Sequence, residues 1–92
     1  MNPSCNYSNN ITNGRIIDIN RSGRHFTTIN DANTAAIIRF NVPESTQIFD
    51  IWGKRMNFER LTPGMRVEVK HATFMTMSIP PQTTALVIKV LR

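Results

Sequence analysis

Met65-Arg66-Val67-Glu68-Val69-Lys70-His71 alternates residue by residue, with Val67 and Val69 on one face and charged side chains on the other. A period of two belongs to a strand with one buried and one wet face; a helix does not sustain it. Thr84-Ala85-Leu86-Val87-Ile88-Lys89-Val90-Leu91 repeats the pattern, with Leu86, Ile88 and Val90 sharing a face. Two strands cannot bury these faces alone, so the rest of the chain must supply the remaining walls of a core.

It does so with more short strands. Arg15-Ile16-Ile17-Asp18-Ile19-Asn20 is rich in β-branched residues, with Ile17 and Ile19 on one face. Arg21-Ser22-Gly23-Arg24 reads as a tight turn in which Gly23 is able to adopt a positive φ, and His25-Phe26-Thr27-Thr28-Ile29 as the return strand of a hairpin. After a second turn at Asn30-Asp31-Ala32-Asn33, the stretch from Ala35 to Val42 places Ile38, Phe40 and Val42 together, and Pro43 ends the strand. Thr46 to Trp52 reads as a short strand, with Gly53-Lys54 turning the chain. Asn57-Phe58-Glu59-Arg60-Leu61 reads as one helical turn with Asn57 as N-cap. Pro63-Gly64 is a further turn.

Three meander strands, a helical turn and two more strands predict an all-β fold, a small five-stranded OB-like barrel with one short helical turn between strands 3 and 4. A two-sheet sandwich or an SH3-like barrel would use nearly the same strands. The expected core is Ile17, Ile19, Ile38, Phe40, Val67, Val69, Leu86, Ile88 and Val90. Ninety-two residues hold one core, so residues 1–13, polar and Asn-rich, are expected to form a flexible lead-in and residues 14–92 a single barrel domain.

No apolar run approaches the roughly 20 residues of a membrane-spanning helix. The first ten residues lack the basic start and apolar region of a secretory signal. The chain as it stands reads as cytoplasmic, with the cell envelope or secretion the alternative if a leader has been removed. Cys5 is the only cysteine, so neither an internal disulfide nor a thiolate metal cluster is expected.

The segment Leu61-Thr62-Pro63-Gly64-Met65-Arg66-Val67-Glu68-Val69, followed by Ser78-Ile79-Pro80-Pro81-Gln82-Thr83-Thr84-Ala85, resembles a pattern in small proteins of Gram-positive bacteria. The nearest family is the YobA-like domain of unknown function. The outline covers residues 14–92, and specific motif matches are confined to the C-terminal third. The resemblance implies a small β-barrel, often exported, and assigns no functional residues. This chain departs from the pattern in its second proline, and its first residues are not expected to act as an export leader.

No nucleophile elbow, phosphate loop, dinucleotide fingerprint or spaced carboxylate pair is present, so the expectation is a non-enzymatic module without catalytic residues or cofactor. His71, Thr73, Met75 and Met77 would share one side of a continued strand and offer soft metal donors. Their parity matches Val67 and Val69, however, which makes a core stripe the simpler reading.

Two binding readings are left. The connection from Ala72 to Thr83 is unusually apolar for a loop. Met75, Met77, Ile79, Pro80 and Pro81 form a candidate surface for a protein partner or self-association, with Phe74 expected to plug the barrel instead. The alternative is single-stranded nucleic acid. The net charge is +5, and OB-like barrels bind strands with cations beside stacking aromatics. The candidate face is Arg21, Arg24, Phe26, Arg39 and Trp52.

Overall fold

A computed structural model describes residues 10–30 and 36–92. Cys5, most of the expected lead-in and most of the second turn lie outside them. The described elements are β1 (Ile11–Asn20), β2 (His25–Ile29), β3 (Ile37–Asn41), β4 (Gln47–Phe49), a 3-10 turn (Phe58–Arg60), β5 (Arg66–His71) and β6 (Gln82–Leu91).

Five strands close into a barrel in the order β1-β2-β3-β6-β5 and back to β1. Every pairing in the ring is antiparallel except β3 with β6, which is parallel. This mixed, closed ring fits a small OB-like barrel, and closure removes the sheet edges that invite aggregation. β4 continues the line of β3 along the same side of β6, pairing at Gln47↔Val87 where β3 pairs at Asn41↔Thr84. Between them the chain bows out, and the Thr46 hydroxyl donates to the Ala85 carbonyl at 2.7 Å, bridging the gap in the ladder.

β1 is the corner of the barrel. It pairs with β5 through Ile11–Arg15 and with β2 through Arg15–Asn20. At the crossing, a Cβ on Gly14 would stand 3.0 Å from the Ile29 carbonyl oxygen and 3.1 Å from the Thr28 Cβ, so any larger residue would have to press its neighbours back by a few tenths of an ångström. Among the described residues the barrel begins at Ile11. Residues 11–13, expected in the lead-in, are strand because Lys70, Val69 and Glu68 pair with them.

The core holds Ile16, Phe26, Phe40, Leu61, Val67, Val69 and Ile88, with Phe58 entering from the 3-10 turn. Ile19 and Ile38 are partly buried against it. Two expected core residues are not in it. Ile17 and Leu86 are both exposed, and both are extra residues of β-bulges: β2 pairs Thr28 with Ile16 and Thr27 with Asp18, while β5 pairs Lys70 with Val87 and His71 with Ala85. One inserted residue reverses the facing of what lies beyond it, which puts Ile16 and Ala85 inside.

The β1–β2 turn also differs from expectation. The positive φ falls on Arg24, at +54°, and not on Gly23. Gly23 matters for space, because a Cβ there would meet the His25 ring at 3.0 Å and the Asn20 side chain at 3.1 Å. Asn57 does occupy the position before the 3-10 turn with an extended backbone, yet its side chain makes no capping bond.

Candidate functional site

β5 ends at His71, whose side chain turns inward and is used on both sides. Nδ1 donates to the Ala72 carbonyl at 2.9 Å, since a carbonyl only accepts. In the neutral ring this leaves Nε2 to accept from the Thr12 hydroxyl, also at 2.9 Å. The strand does not continue, so Thr73, Met75 and Met77 share no face with His71. Among the described residues no group of three or more His, Cys, Asp or Glu is arranged to hold a metal.

Beyond His71 the chain leaves the barrel as a loop that returns at Gln82. Thr83, fully buried, anchors its base by donating to the Phe74 carbonyl at 2.6 Å, with the Ala72 carbonyl 3.3 Å away. The Thr76 N–H donates to the Gln82 carbonyl at 2.8 Å, closing the loop. Inside it the hydroxyls form a directed chain. The Gln82 N–H donates to Thr76 Oγ1 at 3.0 Å, Thr76 donates to Ser78 Oγ at 2.7 Å, and Ser78 donates to the Pro80 carbonyl at 2.9 Å. Ser78 must spend its proton on the carbonyl, so this is the assignment that satisfies all three bonds, and each bond polarises the next.

The polar groups of the loop thus face one another, and its apolar side chains face out. Met77 and Ile79 are each 99% exposed, and Met75 is at the margin of exposure. Pro80 and Pro81 lie half-buried at the return, where the Pro81 carbonyl accepts the Arg39 N–H at 2.9 Å. Phe74, expected as a plug, is 60% exposed. The ring that packs on Phe40 at this end of the barrel is that of His71, with 5.6 Å between centroids.

The expected nucleic-acid face is not assembled. Phe26 is wholly buried, its ring 5.5 Å from that of Phe40, and offers nothing for a base to stack on. Arg21 clamps the end of the 3-10 turn, donating through Nη1 to the Glu59 carbonyl and through Nη2 to the Leu61 carbonyl, each at 2.9 Å. Arg24 donates through Nε to the Val42 carbonyl at 2.8 Å and lies over the Phe58 ring. Both arginines are structural clamps, which removes them from a free cationic surface. Arg39 is half-buried in β3, its Nε shielded from solvent and without a hydrogen-bond partner.

Trp52 is 77% exposed, as a stacking residue should be, but it sits elsewhere. It lines a cleft of about 420 Å³ together with Arg55, Met56, Arg60, Met65 and Val90. Arg55, Arg60 and Met65 did not emerge from the sequence as site residues. The available signal was local, Trp52-Gly53-Lys54-Arg55, the one place where the chain sets two cations side by side and next to its tryptophan.

No protein-family model, no curated protein and no solved structure matches this chain.

Proposed function

We propose that this barrel is a binding or accessory module without a catalytic step, and that the loop from Ala72 to Thr83 is the surface it presents to a protein partner or to a second copy of itself. The observation that carries the reading is the full exposure of Met77 and Ile79 on a loop whose polar groups bond to one another. Large apolar side chains held outward in a fixed loop lose little entropy on binding, and burying each stabilises a complex by about 1.5–3 kcal/mol. Methionine adds adaptable contact area.

Site-specific photo-crosslinking in cells tests the reading. A photoreactive residue at position 77 should yield a discrete adduct, to a second copy or to one other protein, that Ile79→Ser abolishes. The same probe at Thr62, exposed at the opposite end of β5, should not give it. An adduct pattern identical at the two positions, or none at position 77, overturns the proposal.

A further inference from the structure

The Trp52 cleft lies at the far end of β6 from the loop. Gln82 and Val90 are eight strand residues apart, about 26 Å. It is a separate surface, and its role does not depend on that of the loop.

Trp52 is held out by its own turn. Asp50 Oδ1 accepts the N–H groups of Trp52 and Lys54, each at 2.9 Å, and the Asp50 N–H donates to the Lys54 carbonyl at 2.8 Å. Gly53, at φ +84°, completes the turn with the Gly53 N–H donating to the Asp50 carbonyl at 3.0 Å. One oxygen of the carboxylate that lines the cleft is therefore bonded to two backbone amides. A Phe49↔Arg55 bridge then returns the chain, placing the Arg55 guanidinium 5.8 Å from the Phe49 ring centroid. Arg60 enters from the 3-10 turn. Neither the Arg55 nor the Arg60 guanidinium has a hydrogen-bond or ion-pair partner among the described residues. This sets them apart from Arg21 and Arg24, which are both bonded to backbone carbonyls.

An exposed indole on a rigid turn, with two guanidinium groups lining the same cleft whose N–H donors are not spent on protein acceptors among the described residues, matches a ligand that pairs a flat π face with negative charge. Met56 and Met65 supply an apolar floor. From these features we infer that the cleft binds single-stranded nucleic acid, one base stacking on Trp52 with its flanking phosphates at Arg55 and Arg60 and Lys54 beside them. Every base has a π face, so such a site tolerates sequence, and guanidinium matches phosphate in a bidentate fork. A duplex fits less well, because its bases are already stacked on one another. The net charge of +5 draws a polyanion to the surface from a distance.

Trp52 is the only tryptophan of the chain, so its fluorescence reports the cleft directly. Titration with oligothymidylate at low salt should quench it saturably. A duplex of equal length, heparin and polyglutamate, which offer charge without an unstacked base, should quench it far less. With a labelled oligothymidylate followed by anisotropy, Trp52→Ala should weaken binding about tenfold or more. The double substitution Arg55→Ala, Arg60→Ala should reduce the slope of log affinity against log salt by about 1.4, the single-strand value for two phosphate contacts. Circular dichroism of each variant should match the parent, since all three side chains lie outside the core. Absence of quenching overturns the inference. So does an equal response to heparin or polyglutamate, or full binding by the arginine double variant.

Discussion

The Arg24 guanidinium lies 5.1 Å from the centroid of the Phe58 ring, and the residue that places it there has a left-handed backbone. Its Nε donates to the Val42 carbonyl, and the Val42 N–H donates back to the Arg24 carbonyl, each at 2.8 Å. One side chain thus ties the β1–β2 turn to the end of β3 and to the 3-10 turn.

Two opposed terms act at this residue, and substitutions separate them. A non-glycine residue in the left-handed region costs about 1–2 kcal/mol. Against this stand a cation–π contact of about 0.5–2 kcal/mol and a charge-assisted hydrogen bond of about 1.5–3 kcal/mol. Arg24→Ala keeps the backbone cost and loses both contacts, whereas Arg24→Gly loses the contacts and the cost together. Urea unfolding should therefore rank the parent above Arg24→Gly, and Arg24→Gly above Arg24→Ala. A glycine variant as stable as the parent would show that the side-chain contacts do no more than offset the backbone cost.

The bulges predict a contrast between sequence neighbours. Ile16 and Ile88 are fully buried, so Ile16→Ala and Ile88→Ala should each cost about 2–5 kcal/mol. Ile17 and Leu86, the inserted residues, should accept threonine within about 0.5 kcal/mol. Midpoints in the same urea series check this, and an equal loss at positions 16 and 17 would contradict the bulge register.

These two inserted residues also mark where the sequence stops being legible. Alternation identifies the strands, and β2 begins and ends at the residues read from the chain. A bulge, however, is defined by the partner strand, because nothing within Arg15 to Asn20 says which residue is left without an opposite. The loop poses a different problem. Its apolar content is visible, and so is an exposed role for Met77 and Ile79, but hydrophobicity has no direction and Phe74 reads as an inward plug. Arg21 and Arg24 read as free cations because their acceptors, the carbonyls of Val42, Glu59 and Leu61, are 18 to 40 residues away. The Trp52 cleft joins the segment from Asp50 to Asn57 with Arg60, Met65 and Val90, a set that only barrel closure brings together.

Gly14 gives a test of the corner at β1. A Cβ 3.0 Å from a backbone oxygen must move that backbone, which is shared between β1 and β2. Gly14→Ala should destabilise by about 1–3 kcal/mol, the range for overpacking a well-packed site. Gly14→Val should be worse, although valine favours strands in general. Thermal unfolding of the pair decides it; a valine variant more stable than the alanine one would mean that strand propensity, and not the close approach, governs this position.

The loop can be loosened without touching the barrel. Thr76 Oγ1 is the middle of the hydroxyl chain, accepting the Gln82 N–H at 3.0 Å and donating to Ser78 at 2.7 Å. Thr76→Val keeps the shape of the side chain and removes both bonds, leaving the Thr76 N–H to the Gln82 carbonyl as the closing contact. Thr76 is exposed, so water can replace what is lost and global stability should change by no more than about 0.5 kcal/mol. The local consequence is larger. The Gln82 amide loses its acceptor and should exchange with deuterium markedly faster, while the core amides of β5 and β6 keep their protection. If the loop's fixed shape is what makes Met77 and Ile79 a binding surface, crosslinking from position 77 should fall in the same variant, although neither apolar side chain has been altered. Faster exchange with undiminished crosslinking would separate the two ideas: the hydroxyl chain orders the loop, but the partner recognises the side chains whether or not they are held in place.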